Sequence, residues 1–174
     1  AVRTAFGRFW NAARGCLYDV IDTPEGNDAA IRPNQLFAVS LYHNVLDGER
    51  AQAVVAVCAR KLLTSAGLRS LAPDDPHYIG VHTGNPESRD SAYHQGTVWA
   101  WLIGPFISAH YRVYGDKAAA LRYLEAFRHH LDAGCVGTLG ECAHGDPPHR
   151  PTAAVAQAWS VAEILRTYFL LDRT

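Results

Sequence analysis

The 174-residue sequence contains no methionine, not even at position 1. A translation product normally begins with one, so the absence predicts a chain that has been trimmed or that belongs to something longer. Long apolar runs are also missing: none approaches the ~20 residues a membrane-spanning helix needs. The opening AVRTAFGRFW lacks a basic segment followed by an apolar one, so no secretory signal is expected. Neither charge sign predominates. The 16 basic and 17 acidic side chains leave a net charge of −1, mixed along the chain. That argues against nucleic-acid or membrane partners, whose phosphates are bound by clustered basic residues. The four cysteines, Cys16, Cys58, Cys135 and Cys142, form no dense disulfide framework. Without a signal, reduced thiols in a cytoplasmic protein are the expectation. There is no G-x-S-x-G nucleophile elbow and no G-x-G-x-x-G phosphate loop.

What is present is helical. Apolar residues are 48% of the chain, enough for one domain with a core, and they recur at helical spacing with no clear period-2 strand. The pattern predicts an all-α chain of about six helices, paired as three αα-hairpins. The first helix is expected over roughly 1–13. QLFAVSLYHNVL follows, with Asn34 as its N-cap, and then ERAQAVVAVCARKLL. GTVWAWLIGPFISAHYRVY reads as a buried helix kinked at Pro105. Asp116 caps KAAALRYLEAFRHHL, and Pro151-Thr152 starts AAVAQAWSVAEILRTYFLL. Long connections at 14–33, 64–95 and 133–151 alternate with short turns, which places all three at one end of the stack. Loops of that length inside a compact domain are usually functional.

Those loops hold the candidate chemistry. Cys135, Cys142, His144 and His149 offer four possible zinc ligands, but C-x6-C-x-H-x4-H is not a common structural zinc spacing. Buried thiols beside backbone-bonding histidines are the better-supported alternative, and no metal or cofactor is expected. Carboxylates among aromatics are the stronger theme: Asp74, Asp75, Glu87, Asp90, Glu141 and Asp146 accompany Tyr78, Tyr93, His94, Gln95 and Trp99. Aromatic faces suit the C–H faces of sugars, and paired carboxylates suit glycosidic cleavage. Solvated loop carboxylates and core tryptophans, Trp101 and Trp159 among them, are the alternative.

RDSAYHQGTVWAWLIGPF (89–106) closely resembles a motif of the glycogen debranching enzymes, in their amylo-α-1,6-glucosidase part. RFWNAARGCLYDV (8–20), IRPNQLFAVSL (31–41), GLRSLAPDDPHYIG (67–80) and AQAWSVAEILR (156–166) look like the same family, in order along nearly the whole chain. The resemblance implies half of an (α/α)6 toroid, its C-terminal half, with the preceding half of the same domain as a partner. It also implies hydrolysis of α-1,6 branch linkages in a glucan, by a single inverting displacement between two carboxylates. By position the family's general base is Glu141, while the segment that carries its general acid does not occur in this chain. The fragment alone is therefore expected to be inactive. His94, Gln95, Trp99, Asp90, Tyr93 and His149 are the residues expected to shape or hold the sugar site, with His94-Gln95-Gly96 opening an inner helix.

The chain departs from the family around the glutamate. Gly140 stands for a serine, Cys142 and Ala143 for larger apolar residues, and His144 for an acidic one; Arg150-Pro151-Thr152-Ala153 replaces Thr-Pro-Arg-Gly. Two rivals stay open: another inverting toroid glucosidase, trehalase- or glucoamylase-like, and a non-catalytic helical fragment that binds glycan.

Overall fold

The computed structural model describes all residues except Ala133, Cys135 and Thr174; the zinc candidate Cys135 therefore lies outside the described residues. Four long periodic segments form helices close to where the periodicity puts them. These are α3 (Gly48–Lys61), α5 (Ile103–Tyr114), α6 (Lys117–Glu125) and α7 (Ala158–Asp172). Shorter helices are α1 (Val2–Phe6), α2 (Phe37–Ser40) and α4 (Pro86–Tyr93). Helix α5 is central: it packs against α2, α3, α6 and α7. Ile103, Phe106 and Ile107, at the i, i+3, i+4 spacing of one face, have at most 1% of their surface exposed. Fully burying a side chain of this size stabilises the fold by ~1.5–3 kcal/mol. Asp116 caps α6 as expected, its carboxylate accepting from the Ala119 N–H at 2.8 Å.

The all-α expectation needs correction, because strands are present. Nine strands of two to four residues occur among the described residues. Two hairpins come first: β1 (Trp10–Asn11) with β2 (Cys16–Leu17), and β3 (Val20–Thr23) with β4 (Gly26–Asp28). A five-stranded antiparallel sheet follows, in the order β5 (Leu63–Thr64), β6 (Gly67–Arg69), β7 (Val98–Trp99), β8 (Cys142–Ala143), β9 (Pro151–Thr152). Strands this short carry no readable period. The close approach in the sheet is fixed at Gly67, whose φ is +133° and where an added Cβ would lie 2.3 Å from the Trp99 carbonyl oxygen.

The strands redraw several helix boundaries. The first helix stops early because Trp10–Asn11 pair back onto Cys16–Leu17. The second is a 3-10 turn (Pro33–Leu36) leading into α2, and the chain then folds back so that the N–H groups of Val45 and Leu46 both donate to the Ala38 carbonyl. Asn34 caps nothing; its amide donates to Asp19 Oδ1 at 3.0 Å. His94-Gln95-Gly96 follows the C-terminus of α4 rather than opening an inner helix, and α5 begins only at Ile103. Pro105 is thus the third residue of α5, in the first turn where no intrahelical N–H bond is required, so it does not break the helix.

The three long connections touch one another. The Ala72 N–H donates to the Ile31 carbonyl at 3.1 Å, and the Asp146 N–H to the Gly80 carbonyl at 3.0 Å. No helix of the described residues is long and apolar enough to cross a membrane.

Candidate active site

Glu141 is held from both sides. Its carbonyl accepts from the Ala100 N–H at 3.3 Å, just beyond β7, and its own N–H donates to the Ala154 carbonyl at 2.9 Å, just beyond β9. The half-buried carboxylate then receives three donors. Tyr93 Oη donates to Oε1 at 2.9 Å, Gln157 Nε2 to Oε1 at 3.2 Å, and the Ala154 N–H to Oε2 at 3.2 Å. Burial, then the neighbouring Glu141 carboxylate, push the Tyr93 phenol well above its ordinary range, so it stays a donor. An ionised carboxylate offers about four lone-pair positions. Three are taken, and one remains for a water or hydroxyl proton. That is the arrangement of a fixed proton acceptor.

Tyr93 links Glu141 to a row of rings. Its ring centroid is 4.6 Å from that of Trp99, and His94 stacks on Trp99 at 5.3 Å with an interplanar angle of 2°. Trp159 continues the row 6.1 Å from Trp99 and 5.9 Å from Trp101. A cleft of about 490 Å³ runs along these rings, lined by Trp99, Trp101, Trp159, His94, Gln95 and Arg32 among others. Glu141 does not line this cleft. Trp159 is 47% exposed, so the core alternative does not hold for it, whereas Trp101 is partly buried and packs against the core. Both present ring surface to the cleft from the starts of their helical segments.

The His94-Gln95-Gly96 turn owes its position to two devices. Gly96 has φ +141°, and a Cβ there would sit 2.6 Å from the Ile79 carbonyl oxygen. Arg32 then clamps the turn from the first long loop. Its Nη1 donates to the His94 carbonyl at 2.6 Å and the Ser70 carbonyl at 3.2 Å, and its Nη2 to Gln95 Oε1 at 2.8 Å. Arg32 is absent from the residues expected from the sequence, as are Gln157 and Asp19. Their partners are distant in sequence, so no local pattern marks them.

The remaining expected residues lie apart from the cleft. Asp90 is exposed on α4, a helix capped by Asn85, so it neither caps α5 nor ties down a loop end. His149 has φ +57°, and its ring Nδ1 meets the His144 carbonyl at 3.0 Å, which gives it a loop-bracing place. His144 Nδ1 accepts from the His82 N–H at 3.1 Å. Cys142 is buried in β8, and burial drives its thiol well above the ordinary range, which leaves it protonated. Among the described residues no group of three His, Cys, Asp or Glu side chains is arranged to hold a metal ion.

The chain is similar to proteins of known kind. It is 31% identical over 88 residues to the glycogen debranching enzyme of Saccharomyces cerevisiae, a match covering 47% of this chain and 6% of that protein. Its fold resembles that of neutral trehalase from Saccharomyces cerevisiae, with a TM-score of 0.60 and 16% identity over 98% of this chain and 30% of the other. The chain thus spans only a small part of the length of each. Residues 1–166 match the family model described as amylo-alpha-1,6-glucosidase. On that match, covering nearly the whole sequence, the chain belongs to the amylo-alpha-1,6-glucosidase family.

Proposed function

We propose that this chain is the C-terminal half of an (α/α)6 glucosidase domain that hydrolyses α-1,6 branch linkages of glycogen-type glucans with inversion. The preceding half of the same domain is its partner, and the cytoplasm its setting. The observation that carries this reading is the Glu141 carboxylate, oriented by three donors with one acceptor position left. Glu141 is the general base: it takes a proton from the water that attacks the anomeric carbon. A second carboxyl, supplied from outside this chain, protonates the leaving oxygen. Inverting geometry sets the pair roughly 6.5–9.5 Å apart, which leaves room for the water. Trp99, His94 and Gln95 form the sugar wall, Tyr93 acts through Glu141, and His149 braces its own loop through the His144 carbonyl. On this account the chain by itself hydrolyses little or nothing.

The fold likeness to a trehalase favours one second reading, cleavage of trehalose by the same base. The two separate cleanly by product. The complete protein is incubated with a limit dextrin bearing single α-1,6-linked glucosyl stubs, and the released anomer is followed by proton NMR. β-Glucose appearing first supports the proposal; α-glucose, or selective cleavage of trehalose, overturns it.

A further inference from the structure

Asp19 sits between β2 and β3, where its backbone N–H donates to the Asp28 carbonyl at 2.9 Å. Its side chain is turned inward, with 13% of its surface exposed. Oδ1 accepts from Asn34 Nδ2 at 3.0 Å, and Oδ2 lies 3.3 Å from Arg32 Nε. That ion-pair contact is long, so at most two of the carboxylate's four or so lone-pair positions are met. Arg32 can add nothing more, because its two terminal nitrogens are committed to the Ser70, His94 and Gln95 oxygens. Burial raises the Asp19 carboxyl above its ordinary value despite the opposing pull of Asn34 and Arg32, as befits a carboxylate short of donors.

This acceptor lines the 490 Å³ cleft together with Trp101 and Trp159. It also borders an adjoining cleft of about 310 Å³ that shares Asp19, Arg32, Asn34 and Phe37 with the first. The chemistry narrows the occupant. Asp19 and nearby Asp28 repel an anion. A wholly apolar ligand would strip water from Asp19 and return no hydrogen bond. Arg32, its Nε 3.3 Å from Asp19 Oδ2, already holds positive charge against that carboxylate, so a cation would have to compete with the guanidinium for it. A neutral polyol with apolar C–H faces meets all three conditions: hydroxyls for the carboxylate, ring faces for the indoles.

We propose that Asp19 is the hydroxyl-accepting residue of a glucosyl-binding subsite in this cleft, with Arg32 and Asn34 fixing its carboxylate and Trp101 and Trp159 stacking on the sugar. The proposal rests on the carbohydrate part of the preceding reading and is independent of the role of Glu141.

The test is a tryptophan-fluorescence titration of the complete protein with isomaltose, run on wild type, Asp19→Ala, Asp19→Asn and Glu141→Gln. Asp19→Ala raises Kd at least about tenfold, the loss expected when hydrogen bonds to a charged acceptor are removed. Asp19→Asn keeps the shape and one acceptor oxygen, so its Kd rises less but measurably; it decides the matter if the alanine variant does not fold. Glu141→Gln retains the wild-type Kd while losing glucose release. A folded Asp19→Ala or Asp19→Asn with wild-type Kd overturns the proposal, as does a wild type that shows no saturable response. Saturable binding lost in the Asp19 variants, with no glucose released by wild type, leaves the subsite standing and sinks the hydrolytic reading alone.

Discussion

Replacing Tyr93 by phenylalanine removes one atom and isolates one contact. The ring keeps its neighbours, Trp99 at 4.6 Å, His94 at 4.9 Å and His82 at 5.5 Å. Only the 2.9 Å hydrogen bond to Glu141 Oε1 is lost, the shortest of the three that orient that carboxylate. Hydrogen bonds to charged groups contribute about 1.5–3 kcal/mol. Glu141 is half-buried, so water replaces part of the bond and the low end, about 1.5 kcal/mol, applies. In a chain of this size each kcal/mol moves Tm by roughly 2–4 °C, so Tyr93→Phe is expected to melt ~3–6 °C lower. If the same energy orients the base in the transition state, kcat falls about tenfold. KM stays constant, because the hydroxyl is committed to Glu141 rather than to sugar. The assay is steady-state glucose release from branched limit dextrin by the complete protein, alongside thermal melts. A raised KM with constant kcat would refute the positioning argument and make Tyr93 a sugar contact, as the sequence suggests. No change in either parameter, with an unchanged Tm, would show that the bond contributes nothing.

Gly67→Ala is expected to cost at least about 3 kcal/mol in denaturant titration, since its Cβ would collide with the Trp99 carbonyl at 2.3 Å in backbone that is already left-handed; a wild-type midpoint would mean the central strand pairing is wrong. Acidification should destabilise the chain through His82 and His110. Burial is the main cause holding both below the ordinary 6.5. The unfolded chain therefore takes up protons first, so the stability these neutral rings supply is complete above pH 6.5 and is lost as pH falls below it, down to their folded values. Melts from pH 7.5 to 5 on wild type and His110→Phe check this, with the variant showing the shallower decline. Arg32→Lys replaces a planar fork by a point charge that cannot hold the Ser70, His94 and Gln95 oxygens together; KM is expected to rise about tenfold while kcat changes less, and an unchanged KM would remove the clamp from the account.

The legible parts of this fold are the ones with a period. Val54, Val55 and Cys58 in α3, and Ile103, Phe106 and Ile107 in α5, repeat on one helical face and are buried. The sheet was illegible for a physical reason: two-residue strands such as Val98–Trp99 are specified by partners far along the chain, and alternation cannot show in two residues. Helix α4 is different, since Asn85-Pro86-Glu87 is a complete start signal, an N-cap, a proline at the first turn and an acidic residue behind it. It lies within a connection dense in glycine and proline, which masks it. In the site, Glu141 is reachable from the sequence only through its motif. The side chains that make it specific, Tyr93 and Gln157, stand 48 and 16 residues away. Arg32 reaches Gln95 across 63 residues, and Asp19 becomes a site residue only because Arg32 and Asn34 turn it into the cleft.

Glu141→Gln in the complete protein tests the role of Glu141 as the base most directly. Glutamine keeps the side chain's length and one acceptor oxygen, but it cannot take a proton from water. Glucose release from branched limit dextrin is predicted to fall by about 10²–10⁴-fold, the range that positioned acid–base groups supply, with isomaltose binding retained. Release at a near wild-type rate would contradict the assignment.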